Sequence, residues 1–194
     1  MEFLDKIDAV DDYVWLVINT LTGKEEYVKK YLEHIAELSN YDFKLILPKR
    51  KILIRRRGQY IEELKVIFRG YLFLLINPDS NPDLNKLLYE IERIRTKNSG
   101  LIKILRDKQN ANPLIVKKEE VKFLKSLLDT ENVIDYTFGV KVGDEVRIIS
   151  GPFKDQISKI VKIDYRKFRI KVKLNFLGEQ VVDFAFNYVE AIKK

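Results

Sequence analysis

Cysteine is absent from the 194-residue chain, and histidine occurs once, as His34. Without cysteine there can be no disulfide scaffold, no thiol nucleophile and no cysteine-based zinc site. A lone histidine argues against metal or triad chemistry. Neither the phosphate-cradling pattern GxxxxGK[ST] nor the nucleophile elbow GxSxG occurs. The acidic pairs Glu25-Glu26, Glu62-Glu63 and Glu119-Glu120 fall at helix starts or turns, where caps and solvated faces account for them. No enzyme and no cofactor or metal is therefore expected. The opening MEFLDKIDAVDD lacks the basic and apolar regions of a secretory signal. The longest apolar run, Tyr71 to Ile76, is far too short to span a bilayer. A cytoplasmic protein without a membrane partner is the expectation.

Apolar residues make up 46% of the chain and charged residues 34%, enough of each for a proper core under a highly charged surface. The formal net charge of +7 favours a polyanionic partner, although simple solvation by excess lysine would give the same total.

YVWLVI (Tyr13 to Ile18) has the length and continuity of a buried central strand. A helix follows, with Thr22 and Glu25 at capping-box spacing. Tyr27, Val28, Tyr31, Leu32, Ile35 and Leu38 supply its apolar face. YDFKLILPKRKILIRRRGQY reads as two strands broken near Pro48 and closed by Gly58, and six of the nine residues Lys49 to Arg57 are basic. After a polar turn, VIFRGYLFLLINP gives another strand. Asn81 and Pro82 resemble an N-cap and first helical position, and Leu84, Leu87, Leu88, Ile91 and Ile94 form the next helical stripe. A short strand at Leu101 to Leu105 and a third helix over Lys117 to Leu128, burying Val121, Leu124 and Leu128, complete an α+β sandwich with helices on its sheet.

Beyond residues 129–139, read as a linker, helical periodicity stops. EVRIIS, QISKIVKID, KFRIKVKLNF, EQVVDFAF and NYVEAI are five short strand candidates for a small β-barrel over residues 140–194. Their β-branched and aromatic residues favour a constitutive barrel over a helical form. This region holds twelve Lys or Arg against seven Asp or Glu. In KFRIKVK, a period of two puts Lys167, Arg169, Lys171 and Lys173 on a solvent face and Phe168, Ile170 and Val172 inside.

Three motifs in order, WLVINTLTGKE, FRGYLFLLI and VGDEVRIISGPFKDQISKIVKID, resemble the NusG family of transcription elongation factors, which join an N-terminal NGN domain to a C-terminal KOW barrel. The resemblance implies an NGN domain over 1–128 and a KOW domain over 140–194. Arg69 stands where the family has proline, and Asp155 and Ser158 stand where KOW motifs carry glycines. With the strong basic runs, these departures resemble specialised antiterminators of the RfaH or LoaP kind.

The resemblance also assigns surfaces. Trp15, Phe68, Tyr71 and Phe73 fall where the family meets the clamp helices of the largest RNA polymerase subunit, though ordinary core would use the same aromatics. The segment Asn81 to Asn85 falls where the polymerase gate loop is touched. Lys24, Lys29, Lys30 and His34 lie on the helix side that faces non-template DNA, and the hairpin residues Lys49, Arg50, Lys51, Arg55, Arg56 and Arg57 extend it. On the barrel, Arg147, Lys154, Lys159, Lys162, Arg166, Lys167, Arg169, Lys171 and Lys173 suit phosphates of nascent RNA, such as a leader hairpin. Phe153, Tyr165, Phe168 and Phe176 offer stacking. In general family members this barrel instead contacts a ribosomal protein or Rho. The resulting expectation is a monomeric processivity and antitermination factor that binds polymerase and RNA. A housekeeping NusG and a free-standing RNA-binding KOW protein remain the alternatives.

Overall fold

The computed structural model describes residues 13–190 except 40, 81–83, 94, 96–98, 143 and 144. The expectations for Asn81, Pro82 and Ile94 lie outside the described residues. The fold is α+β, in two compact units: residues up to Leu47 with Phe68–Lys122, and Pro48–Ile67 with the chain from Phe123 onward. The division thus separates the hairpin after Pro48 from its sequence neighbours and falls within a helix, away from the expected linker.

In the first unit, β1 (Val14–Thr20), β2 (Phe43–Ile46), β5 (Tyr71–Ile76) and β6 (Leu101–Ile104) form an antiparallel sheet in the order β2-β5-β1-β6. β1 is central, as its apolar run requires. β5 departs from the alternating pattern: Leu72 to Ile76 are all buried, because both faces of this interior strand are covered. Helices α1 (Glu25–Ser39) and α2 (Leu84–Arg93) accompany the sheet; α3 (Lys118–Leu127), in which the division falls, buries Val121 on the first unit's side of it and Leu124 and Leu127 on the second's. Leu128 falls just beyond α3 and is half-buried.

The capping box expected at α1 does not form. Glu25 opens the helix, is buried, and accepts the Gly70 N–H at 2.7 Å; Thr22 makes no hydrogen bond to described residues. Gly70 has φ +79, and its carbonyl accepts both the Thr20 N–H (2.8 Å) and Asn19 Nδ2 (3.0 Å). The RG of FRGY is therefore a turn locked to the helix start, and Phe68 precedes β5 rather than lying on it.

In the second unit, β3 (Lys49–Arg56) and β4 (Gln59–Val66) form a hairpin. Its tip residues Arg57 and Gly58 have φ +49 and +85, the paired positive values of a two-residue type I′ turn. β4 replaces the expected polar turn. QYIEELKV alternates poorly because most of its residues face solvent, and pairing to β3 is what makes it a strand. β7 (Val133–Ile134) adds parallel to β3, and β8 (Thr137–Val142) begins inside the expected linker.

The barrel sheet runs β10-β11-β12-β8-β9, with β9 (Glu145–Ser150), β10 (Ile160–Asp164), β11 (Arg169–Asn175) and β12 (Glu179–Glu190). EQVVDFAF and the NYVE of NYVEAI merge into the single long β12, whose far end pairs parallel with β8; the expectation for Ala191 and Ile192 lies outside the described residues. QISK is not strand; residues Lys154–Lys159 form a 3-10 turn in which neither Asp155 nor Ser158 has positive φ. That turn does without the glycines expected there, whereas Gly151 is required. Its φ is +94, and a Cβ there would stand 2.4 Å from the Tyr136 carbonyl oxygen. The resulting bend seats Phe153 in the core, its ring 4.7 Å from that of Phe184.

Candidate functional site

The aromatic residues assigned to a polymerase surface are mostly interior. Trp15, Phe68 and Phe73 are 1%, 2% and 0% exposed. Their rings pack on one another, with Phe73 lying 6.0 Å from Trp15 and 5.6 Å edge-on from Phe68. Tyr71 is half-buried and Asn85 is exposed on the first turn of α2. Three of the four aromatic candidates are thus core, not surface.

On α1, Lys24, Lys30 and His34 are exposed; Lys29 pairs with Glu33, and His34 Nδ1 lies 3.8 Å from Glu37. The buried stripe is Glu25, Val28 and Leu32, which leaves Tyr27, Tyr31 and Leu38 on one flank. Tyr27 is 51% exposed, correcting its place on the apolar face, and stacks on Tyr31 at 6.3 Å with rings 5° from parallel. The Lys24 ammonium stands 5.8 Å from the Tyr27 ring. A spacing of four residues on a helix permits this stack, a signal visible in the sequence but absorbed there into the core.

In the second unit, two sets of cations assigned to different partners meet. Leu53, Arg55 and Tyr60 of the hairpin and Arg166, Lys167 and Arg169 of the barrel line one cleft of about 440 Å³. Hydrogen bonds to backbone carbonyls hold it: Tyr60 Oη donates to the Arg166 carbonyl at 2.9 Å, and Arg169 Nη2 donates to the Leu53 carbonyl at 3.0 Å. Phe168, expected inside the barrel, lies in the β10–β11 turn with φ +53, edge-on to Tyr60 at 5.3 Å. Positive φ takes it off the strand, so the period of two does not reach it. Phe176 and Phe153 are core, with no ring face for a ligand; Tyr165 is half-buried against Tyr188.

A second group of contacts fastens the base of the hairpin. Lys51 Nζ lies 3.0 Å from Asp135, and this hydrogen bond holds the ammonium above its ordinary pKa. Burial pushes the Asp135 carboxyl up, but the Tyr136 amide and Lys51 outweigh it and leave it below the ordinary value. Burial and a hydrogen bond with Glu62 push the Tyr136 phenol up. At the hairpin's outer strand Lys65, with Arg56, holds the Glu63 carboxyl below its usual range.

The cationic stripe on β11 is less bare than its sequence implies. Asp183 on β12 lies 3.4 Å from Arg169 and 3.7 Å from Lys171, and Glu179 lies 2.7 Å from Lys173. Ion pairs this exposed contribute at most about 1 kcal/mol each, but they lower the local field. Arg147, Lys154, Lys162, Arg166 and Lys167 have no carboxylate partner among the described residues, and Lys159 covers the Phe123 ring at 3.8 Å. Arg147, Lys154, Lys159, Lys162, Lys171 and Lys173 do not line the cleft.

No group of three or more His, Asp or Glu that could hold a metal ion occurs among the described residues, and no described helix is long and apolar enough to cross a membrane. Residues 13–125 match the family described as "Transcription termination factor nusG", and residues 142–173 match the KOW motif. The chain is 29% identical over 184 residues to the "Transcription termination/antitermination protein NusG" of Staphylococcus aureus strains Mu50 and N315, covering 92% of this chain and 95% of each relative. A solved structure described as "Domain interaction in Thermotoga maritima NusG" aligns with 22% identity and a TM-score of 0.48, over 89% of this chain and 93% of that one. With its first match alone spanning more than half its length, the chain belongs to the NusG family of transcription termination and antitermination factors.

Proposed function

We propose that this protein is a transcription processivity and antitermination factor that binds RNA polymerase through an NGN domain, residues 1–128, and nascent RNA through a KOW domain, residues 140–194. The observation that carries the reading is the ordered pair of family matches on one chain whose C-terminal part holds twelve Lys or Arg against seven Asp or Glu. Tyr71 and Asn85 are the polymerase contacts, at the clamp helices and gate loop, with Trp15, Phe68 and Phe73 holding that surface in shape. Exposed cations of α1, beside the Tyr27–Tyr31 stack, suit the non-template strand, because base stacking on aromatics tolerates any sequence. Binding the closed polymerase and not the paused, open one shifts the population toward elongation. RNA held by the KOW domain keeps the factor at high local concentration near the transcript exit.

Arg69, Asp155 and Ser158, at positions of family proline and glycines, favour a specialised antiterminator over a general factor. One observation favours a second reading: the acids interleaved on β12 soften the stripe, as a barrel that meets a ribosomal protein or Rho would tolerate. Sedimentation of the protein with bacterial elongation complexes, with crosslinking to the transcript, tests the proposal. Co-sedimentation with a transcript crosslink is expected. Co-sedimentation without a crosslink would favour the protein-contacting barrel, and no co-sedimentation would refute the polymerase role.

A further inference from the structure

The geometry points to the cleft of Leu53, Arg55, Tyr60, Arg166, Lys167 and Arg169 as a binding site for the phosphodiester backbone of single-stranded RNA, built jointly by the β3–β4 hairpin and the β10–β11 turn. This rests on the reading that the barrel meets nascent RNA, and it adds a partner to that surface: a hairpin that lies within the first family match, 13–125, and not within the KOW match.

Four cations line the cleft and no carboxylate does. They are brought together by hydrogen bonds to uncharged backbone acceptors, Tyr60 to the Arg166 carbonyl and Arg169 to the Leu53 carbonyl, so docking the hairpin gathers like charges without a carboxylate on the cleft wall. Asp183, the one acid on Arg169, is 3.4 Å from Nη1 and is shared with Lys171. Arg55, Arg166 and Lys167 have no acidic partner among the described residues, and Arg55 Nε makes only a long 3.4 Å bond to the Gly58 carbonyl. Arg169 Nε is buried with no acceptor among the described residues. Buried donors normally find an acceptor; this one is out of a ligand's reach, and it is the guanidinium's charge that a polyanion in the cleft would meet.

Beyond Asp164, which stands opposite Arg169 in the β10–β11 register, further cations follow along that sheet. Lys162 and Lys171 are directly opposed cross-strand partners, and both are exposed. Like charges at opposed positions destabilise a sheet, and Asp183, 3.7 Å from Lys171, faces only one of the two. A chain of phosphates, unlike a single inorganic anion, covers both the cleft and this pair. Arginine makes up three of the four lining cations, and its planar fork suits phosphate oxygens two at a time. The Tyr60 ring, 45% exposed beside the cleft, offers a face for an unpaired base. A protein carboxylate would use the charge but leave the ring idle, which is why RNA is the assigned ligand.

The test is binding of the full chain to a fluorescent single-stranded RNA of about 12 nucleotides, within the usual range of single-strand site sizes, followed by anisotropy over a range of salt. Arg55→Ala on the hairpin and Arg166→Ala on the turn should each weaken binding about 3- to 10-fold. Each should also lower the salt slope by about 0.7. Lys108→Ala, an equal loss of charge on an exposed turn of the first unit, should change neither. Arg55→Lys should fall between wild type and Arg55→Ala, since it keeps the charge and loses the fork. Far-UV circular dichroism confirms that each variant keeps its strands. If wild type binds RNA and both alanine variants match it, the composite cleft is refuted while the RNA-binding barrel stands. If wild type binds no RNA, both fall. DNA of the same sequence bound as tightly would overturn the assignment to RNA. Displacement of the RNA by polyglutamate at equal charge concentration would assign the cleft to an acidic protein segment.

Discussion

Replacing Gly151 with alanine perturbs the GPF bend in a way the structure lets us size. At φ +94 any L side chain is strained, at roughly 1–2 kcal/mol. The new Cβ would also stand 2.4 Å from the Tyr136 carbonyl oxygen and 2.7 Å from the Thr137 Cα. Both are backbone atoms of the segment entering β8, so no rotamer change relieves the clash. Forcing the backbone apart costs a further ~1–3 kcal/mol by analogy with overpacked cores. The total, about 2–5 kcal/mol and centred near ~3.5, is a large share of the ~5–15 kcal/mol that holds a typical domain together. It should lower the midpoint of the barrel's thermal transition by roughly 15–30 °C. Gly178 provides the control. Its φ is +102 but no atom lies within 4 Å of a Cβ there, so Gly178→Ala should cost only the conformational part, about 1–2 kcal/mol. Thermal melts of the full-length variants, followed by circular dichroism, measure the difference. If Gly151→Ala melts no earlier than Gly178→Ala, the close approach to Tyr136 does not explain why glycine opens this motif.

Two further outcomes follow from buried or paired carboxylates. Glu25→Ala should destabilise the first unit by about 1–3 kcal/mol, because the buried Gly70 N–H loses its acceptor, and urea titration would read this out; an unchanged midpoint would mean the turn finds another acceptor. The Lys51–Asp135 pair should contribute stability throughout the neutral range. Asp135 is depressed, so its share is present above the ordinary carboxyl value of 3.8 and lost as pH falls through its lower folded value. Lys51 is raised, so its share is present below 10.5 and lost only as pH rises through its higher folded value. The stability difference between wild type and Asp135→Asn should thus be flat across neutral pH and shrink in acid; a slope between about pH 6 and 8 would contradict the assignment.

What the sequence made legible is what local pattern controls. The continuous run at β1, the short LIKI strand and the alternation of Ile170, Val172 and Leu174 with Lys171 and Lys173 all stand in the structure as their periods require. The misses are matters of partnership. β4 looked like a turn because its strand character comes from β3. Tyr27 and Tyr31 looked like core because the helical period marks a face without saying how wide the covered part is. The stripe on β11 looked unopposed because Asp183 and Glu179 face it only through the β11–β12 register. The cleft was out of reach for the same reason: Tyr60 and Arg166 lie 106 residues apart, and nothing local to either signals the other. The aromatics expected at a polymerase surface raise the opposite problem. Their positions were readable, but whether Trp15 and Phe73 point outward depended on a sheet covered on both faces, and Phe68 on the turn before β5 that packs it edge-on to Phe73.

Terminator readthrough by purified bacterial RNA polymerase, with and without the full-length protein, on templates that differ only in the transcribed leader, tests the central claim most directly. The account predicts readthrough raised with one leader and not with others, and at sub-saturating protein reduced about 3- to 10-fold in potency by Arg166→Ala. Equal stimulation on every leader would contradict the specialised role and return the protein to general elongation control. No effect on readthrough or pausing, with no polymerase bound, would contradict the processivity reading as a whole.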